Sequence, residues 1–178
     1  MLAGFVGGGQ RWLIEAAGET TSEMWEPFHR LGDRNDPERR IWLCTHFLAG
    51  TGPRADLDAE AARAQLDPTV ASFRAALTDI EAYARKEGIT NFANIFRDAL
   101  ALIDTATPEA EQGEMTRYTG FTPRQSAIFE ACSRAWVFGG MGSWNDTGGG
   151  PDYDRVSQAL YETINYTVAS LASSTFRG

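Results

Sequence analysis

The chain carries two histidines, His29 and His46, and two cysteines, Cys44 and Cys132. An imidazole titrates near neutral pH, so His29 or His46 beside a carboxylate would suit a small hydrolase-type enzyme. Glu15, Glu26, Glu130 and Glu162 are the candidate acid–base partners, and no spacing selects a pair among them. The histidine spacing matches no zinc pattern, so no metal site is expected. Both cysteines fall in segments read as helical, among apolar neighbours, where a reduced thiol behaves as a small buried hydrophobe. As a nucleophile Cys132 would need a base that its sequence neighbours do not supply. No catalytic residue is assigned, and no cofactor is expected.

The glycine-rich segments offer a second kind of chemistry. Gly7-Gly8-Gly9 lacks the Gly-Lys-Ser/Thr that a phosphate loop requires and reads as a turn. Residues 145–154 gather Asp146, Asp152 and Asp154 with Asn145, an oxygen-rich set that a hard cation could use. The EF-hand spacing is absent, so Asp152 reads as the N-cap of the last helix, with Asp154 in its first turn. Between these lies Trp136-Val137-Phe138-Gly139-Gly140-Met141-Gly142-Ser143-Trp144-Asn145-Asp146. Met141 and Trp144 on a glycine-loosened backbone have two fates. They fold back over the core, as large aromatics commonly do, or they project as a contact surface of the type enriched in Trp and Met. A small-molecule site at this loop is a further possibility for the same residues.

Those residues need a scaffold. With 178 residues, 43% of them hydrophobic and 22% charged, the chain is long and apolar enough for one domain with a sizeable core. Its net charge of −8 repels nucleic acid and anionic membranes, and favours basic partners or cationic ligands. No apolar run approaches the ~20 residues of a membrane span, and the first residues lack the basic region of a secretory signal. Two cysteines make no disulfide framework, and the expected setting is cytoplasmic.

Helix starts are marked by four Asp/Thr-Pro pairs, Asp36-Pro37, Asp67-Pro68, Thr107-Pro108 and Thr122-Pro123, because Asp or Thr caps a first turn and Pro at its first position sacrifices no donor. Thr122 with Gln125 also has capping-box spacing. The helix after Asp36 would carry Ile41, Cys44, Thr45 and Leu48 on one face. A short helix follows over 58–66, then one over 68–87 with the stripe Val70, Phe73, Leu77, Ile80, ending at Gly88. Asn91 would cap the next, with Phe92, Ile95, Phe96, Leu100 and Ile103 in register. The helix over 123–138 has one narrow polar stripe, Ser126, Glu130, Ser133 and Arg134. It is therefore predicted to be central, with Phe129 and Trp136 buried and Glu130 paired to Arg134. The last helix runs over 153–172. In the first 35 residues, 10–17 is a short helix or a strand, and 23–31 reads as a short helix interrupted by Pro27. The expectation is one all-α domain over 1–178 with about six main helices, an uncertain segment at 1–18, and loops at 107–121 and 139–151.

The run from Trp136 to Asp146, followed by Tyr153-Asp154-Arg155-Val156-Ser157 and Leu160-Tyr161, resembles a signature of small bacterial proteins, some of them similar to immunity proteins of toxin systems. The resemblance covers the last third of the chain, brings no catalytic residues, and implies an inhibitory binding role. The resulting reading is a non-enzymatic, acidic helical protein that binds a protein partner, such as a basic toxin. Met141, Trp144, Asn145, Asp146, Tyr153 and Asp154 form the expected contact surface.

Overall fold

The computed structural model describes residues 13–33, 35, 37, 42–54, 59–106, 120–139 and 141–175. The chain divides into two compact units, a sheet unit within Gly8–Asp56 and a helical unit within Leu57–Gly178.

The sheet unit is a three-stranded antiparallel meander of β1 (Ile14–Ala17), β2 (Thr21–Leu31) and β3 (Trp42–Pro53). This corrects the all-α expectation. The proposed helix over 23–31 is β2, and most of the one after Asp36 is β3. Trp25, Phe28, Thr45, Phe47 and Thr51 are residue types that suit a pleated surface. Apolar residues on both faces of these strands blur the period-2 signal that would have exposed them. Among the described residues β1 pairs with β2 only as far as Trp25, so Pro27 breaks no described ladder bond on that side. β2 and β3 pair from Thr21↔Pro53 to Leu31↔Trp42. Met24 pairs with Gly50 and Trp25 with Leu48, so Ala49 is the extra residue of a bulge.

The helical unit contains α1 (Ala59–Ala64), α2 (Leu66–Lys86), α3 (Thr90–Asp104), α4 (Pro123–Ala135) and α5 (Pro151–Ser174). α2 packs on α3 and α5, and α4 packs on both α3 and α5. The predicted stripe of α2 is its buried face, with Phe73, Leu77 and Ile80 wholly inside. Phe96 of α3, Ala131, Cys132 and Ala135 of α4, and Val156, Leu160 and Ile164 of α5 complete the main core. A smaller cluster joins Leu66, Val70, Ile128 and Leu171. Among the described residues, no helix is long and apolar enough to cross a membrane.

The capping expectations divide. Thr122 forms the complete box: its hydroxyl accepts from the Gln125 N–H at 3.2 Å, and the Gln125 side chain accepts from the Thr122 N–H at 2.8 Å. Asp67 is not a cap. α2 begins one residue before it behind Gln65, and Asp67 instead accepts from Arg124 at 2.6 Å. α3 begins behind Ile89 rather than Asn91, and α5 behind Gly150 rather than Asp152. Thr107-Pro108 lies outside the described residues. The narrow polar stripe of α4 overstated its burial: Ser126 is wholly buried, whereas Phe129 and Trp136 are only half-buried. Trp136 instead packs with Phe138 and Tyr161 at centroid distances of 5.7 and 5.6 Å. Arg134 reaches across to Asp98 of α3 at 3.0 Å rather than along its own helix to Glu130, and this hydrogen bond holds the Asp98 carboxyl below its ordinary range.

Thr122→Ala, which removes a working cap, is expected to cost about 1 kcal/mol. Asp67→Ala, which removes an exposed ion pair, should cost only a few tenths. Urea denaturation of both variants checks this; equal losses would show that Asp67 does cap.

Candidate functional site

α4 ends at Ala135, and the chain then runs to a 3-10 turn at Trp144–Asp146 that is tied back by the Trp144 N–H donating to the Val137 carbonyl at 3.1 Å. Gly142 takes φ 81°, a conformation open to glycine, and its N–H donates to the Asp146 carboxylate at 2.6 Å. Ser143 donates to the Gly139 carbonyl at 3.2 Å. The loop is therefore bonded internally at three points.

Trp144 is wholly buried. Its ring stacks on Tyr153 at 5.4 Å, with an interplanar angle of 16°. Phe92 and Phe96 each meet it edge-on at 5.4 Å, and Tyr83 at 6.3 Å. Its indole N–H donates to Ser157 Oγ at 2.7 Å. Its carbonyl accepts from the Tyr153 hydroxyl at 2.8 Å and from Thr147 Oγ1 at 2.7 Å. Burial raises the Tyr153 phenol above its ordinary range, against the opposing contacts of Ser157 and Thr147.

This geometry corrects the picture of a displayed Trp144. A large ring with one donor gains more from an aromatic box holding a matched acceptor than from water. Tyr153 is buried with it. Of the expected contact residues, Met141 is fully exposed, and Asn145, Asp146 and Asp154 are also exposed. Asp152 and Asp154 occupy the first turn of α5, where a negative charge complements the helix dipole. Arg155 lies 3.8 Å from Asp79 and 4.0 Å from Asp152. The reachable part of the site is one thioether beside carboxylates, held on a pinned loop.

The histidines and Cys44 lie elsewhere, on the sheet. Cys44 is exposed on β3 and not buried in a helix, and its Sγ lies 3.8 Å from His46 Nε2. His29 of β2 pairs directly with Cys44. Glu26 pairs with Phe47 and thus occupies the opposite sheet face from these three, because side chains alternate along a strand. Glu15 pairs with Met24 on β1, while Glu130 and Glu162 belong to α4 and α5. The register thus gathers the two histidines with a thiol rather than with a glutamate. As the side chains lie, no three His, Cys, Asp or Glu among the described residues are close enough together to hold a metal ion. The Cys44–His46 neighbourhood was missed because two residues apart in a helix point to different sides, whereas in a strand they share a face.

One further concavity, of about 300 Å³, lies along α2 and α5 and is lined by Gln65, Thr69, Ser72, Thr163, Tyr166 and Ser170. Thr69, Ser72 and Thr163 each donate to a carbonyl one turn back in the helix, so their hydroxyl hydrogens are already engaged. No family model, curated protein or solved structure matches the chain.

Trp144→Ala is expected to destabilise the helical unit by roughly 3–5 kcal/mol. Ser157→Ala should cost about 1–3 kcal/mol by leaving the indole donor unsatisfied. Chemical denaturation followed through the helical circular-dichroism signal measures both, and a folded Trp144→Ala variant of unchanged midpoint would return the ring to the surface.

The two thiols should separate cleanly under a maleimide reagent. Cys44 is exposed, whereas Cys132 is 1% exposed and burial pushes its thiol far above the ordinary range. One label per native chain and two after denaturation are expected, as read by intact mass. Two rapid labels on the native protein would show that α4 opens.

Proposed function

We propose that this protein is a non-enzymatic acidic binding protein, acting inside the cell on a protein partner of basic surface in the manner of an immunity protein. The observation that carries the reading is the apolar exposure of the sheet unit. Leu13, Ile14, Phe28, Leu43, Phe47 and Leu48 are between 42% and 64% exposed. Solitary exposed apolar side chains are ordinary, but Phe28, Leu43 and Phe47 share one face of the sheet, and such a grouping supports a contact surface. Phe28 and Phe47 meet edge-on at 6.3 Å, forming a paired aromatic feature of the kind that dominates binding energy.

The edge of the sheet adds to this. β3 contains no Asp, Glu, Lys or Arg over its 12 residues, and among the described residues nothing pairs with its outer side. Natural edge strands usually carry a charge or a central proline to discourage pairing, whereas here the proline is the last residue. Strand addition by a partner fits such an edge. The net charge of −8 would steer a basic partner and raise its association rate more than its final affinity. The loop bearing Met141, Asn145, Asp146 and Asp154 is a second contact face in the same reading, with Trp144 and Tyr153 fixing its shape from beneath.

Capture experiments on cells of the source organism, using wild-type protein, a Phe28→Ser/Phe47→Ser variant and a Met141→Ala/Asp154→Lys variant, test the proposal. The sheet variant is expected to lose the retained partner by about tenfold or more, the scale of hot-spot loss. The loop variant should slow association, with added salt blunting the difference. A toxin-like reading frame beside the gene would agree with the immunity reading. Retention of the same proteins by all three, or of none by the folded wild type, would end it.

A further inference from the structure

The face of the sheet opposite Phe28 and Phe47 carries three side chains that bind transition metals. Cys44 and His46 are two residues apart on β3, which places both on the same face. His29 is the direct cross-strand partner of Cys44, and directly opposed residues in an antiparallel pair share a face. A relay of i and i+2 on one strand with a third residue opposite on the next is a compact way for a sheet to present three ligands to one point. These are both histidines of the chain and one of its two cysteines.

The Cys44–His46 distance suits coordination. A zinc-type ion takes thiolate sulfur at about 2.3 Å and imidazole nitrogen at about 2.0–2.1 Å. At a tetrahedral angle, two such ligands stand about 3.6 Å apart. Cys44 Sγ and His46 Nε2 are 3.8 Å apart, so this pair already has the separation of two ligands on one ion. His29 is not yet gathered with them. It is exposed and directly opposite Cys44, and exposed side chains exchange rotamers within nanoseconds, so it is the ligand that binding would order. The donor set selects the metal: one thiolate with two imidazoles suits zinc-type ions and is wrong for calcium or magnesium, which take oxygen.

We propose that His29, Cys44 and His46 form a three-ligand site for a zinc-type divalent cation, with the remaining coordination position open to solvent. On binding, the Cys44 thiol releases its proton to solvent and the two neutral imidazoles donate ring nitrogen lone pairs. The site shares its face with Ile14 and Leu48 but not with Phe28 and Phe47, so the Phe28→Ser/Phe47→Ser variant leaves its three ligands in place.

Cobalt(II) titration of the reduced, metal-free full chain tests it. Cobalt reports a thiolate ligand by a near-ultraviolet charge-transfer band, and the buried Cys132 cannot contribute one. The expected result is one cobalt per chain with that band, displaced by zinc. Cys44→Ser should abolish the band, while His46→Ala and His29→Ala should each weaken binding by about tenfold or more. All three positions are exposed on the sheet, and an unchanged circular-dichroism spectrum confirms that each variant is folded. Absence of the band in the wild type, wild-type affinity in His29→Ala, or one cobalt per two chains would each overturn the assignment.

Discussion

The helical unit depends on the enclosure of one indole. Trp144 arrives on a turn that follows α4, yet its ring is surrounded by Tyr83 of α2, Phe92 and Phe96 of α3, and Tyr153 of α5. Burying a ring of roughly 200 Å² contributes about 5 kcal/mol, comparable to the whole net stability of many small domains. Its polar atoms must follow it inside. Ser157 answers the indole N–H, while the Tyr153 and Thr147 hydroxyls answer the carbonyl. The small residues around it then have a cause. A Cβ at Gly148 would stand 3.0 Å from the Tyr153 ring, so the chain must be bare there for Tyr153 to stack on Trp144.

This arrangement explains how a glycine-rich segment can be both permissive and fixed. Its backbone could take many conformations, but the ring selects one. Its start is tied to Val137 and its end is stacked on α5. Met141, at the outer side, is then exposed without being placed at random. α4 makes the packing possible from beneath. Ala127, Ala131, Cys132 and Ala135 are all buried and small, which lets neighbouring helices approach closely. A helix that is apolar on most sides need not place its largest residues at the centre. Here the small ones are central, and Phe129 and Trp136 border them.

The long helices α2, α3 and α5 were legible because each had a 3.6-residue stripe longer than two turns, as in Val70, Phe73, Leu77 and Ile80 of α2, which the structure buries. The cap at Thr122 was legible because its partner Gln125 stands at the required interval. Asp67 and Asp152 were misread for one reason: an Asp beside Pro satisfies the cap pattern equally well from inside the first turn, where dipole and ion pairing reward it. Trp144 was ambiguous, because a single aromatic among glycines has no period, and only the three-dimensional convergence of α2, α3 and α5 decides its direction. The sheet was hidden because Ile14, Trp25 and Leu48 lie across one face while Phe28, Leu43 and Phe47 belong to the other. With apolar residues on both faces, alternation disappears, and Pro27 reads as a helix interruption.

Reassigning 42–53 from helix to strand changes what its residues can do together. On a helix, Cys44 and His46 would be separated by about 200° around the axis, and a thiol among Ile41, Thr45 and Leu48 would be core packing. On β3 the same two residues stand side by side, and the hairpin register adds His29 from 15 positions earlier in the chain. The period of an element decides which residues are neighbours before any packing occurs, so an error of period removes chemistry from view as well as shape. It also changes the meaning of exposure. A helix would have hidden Cys44 and Leu48 on one side, whereas the strand exposes Phe47 on one face and Cys44, His46 and Leu48 on the other, along an edge without fixed charge. The small sheet unit therefore exposes apolar side chains together with sulfur and imidazole, whereas the helices keep most of their apolar stripes inside.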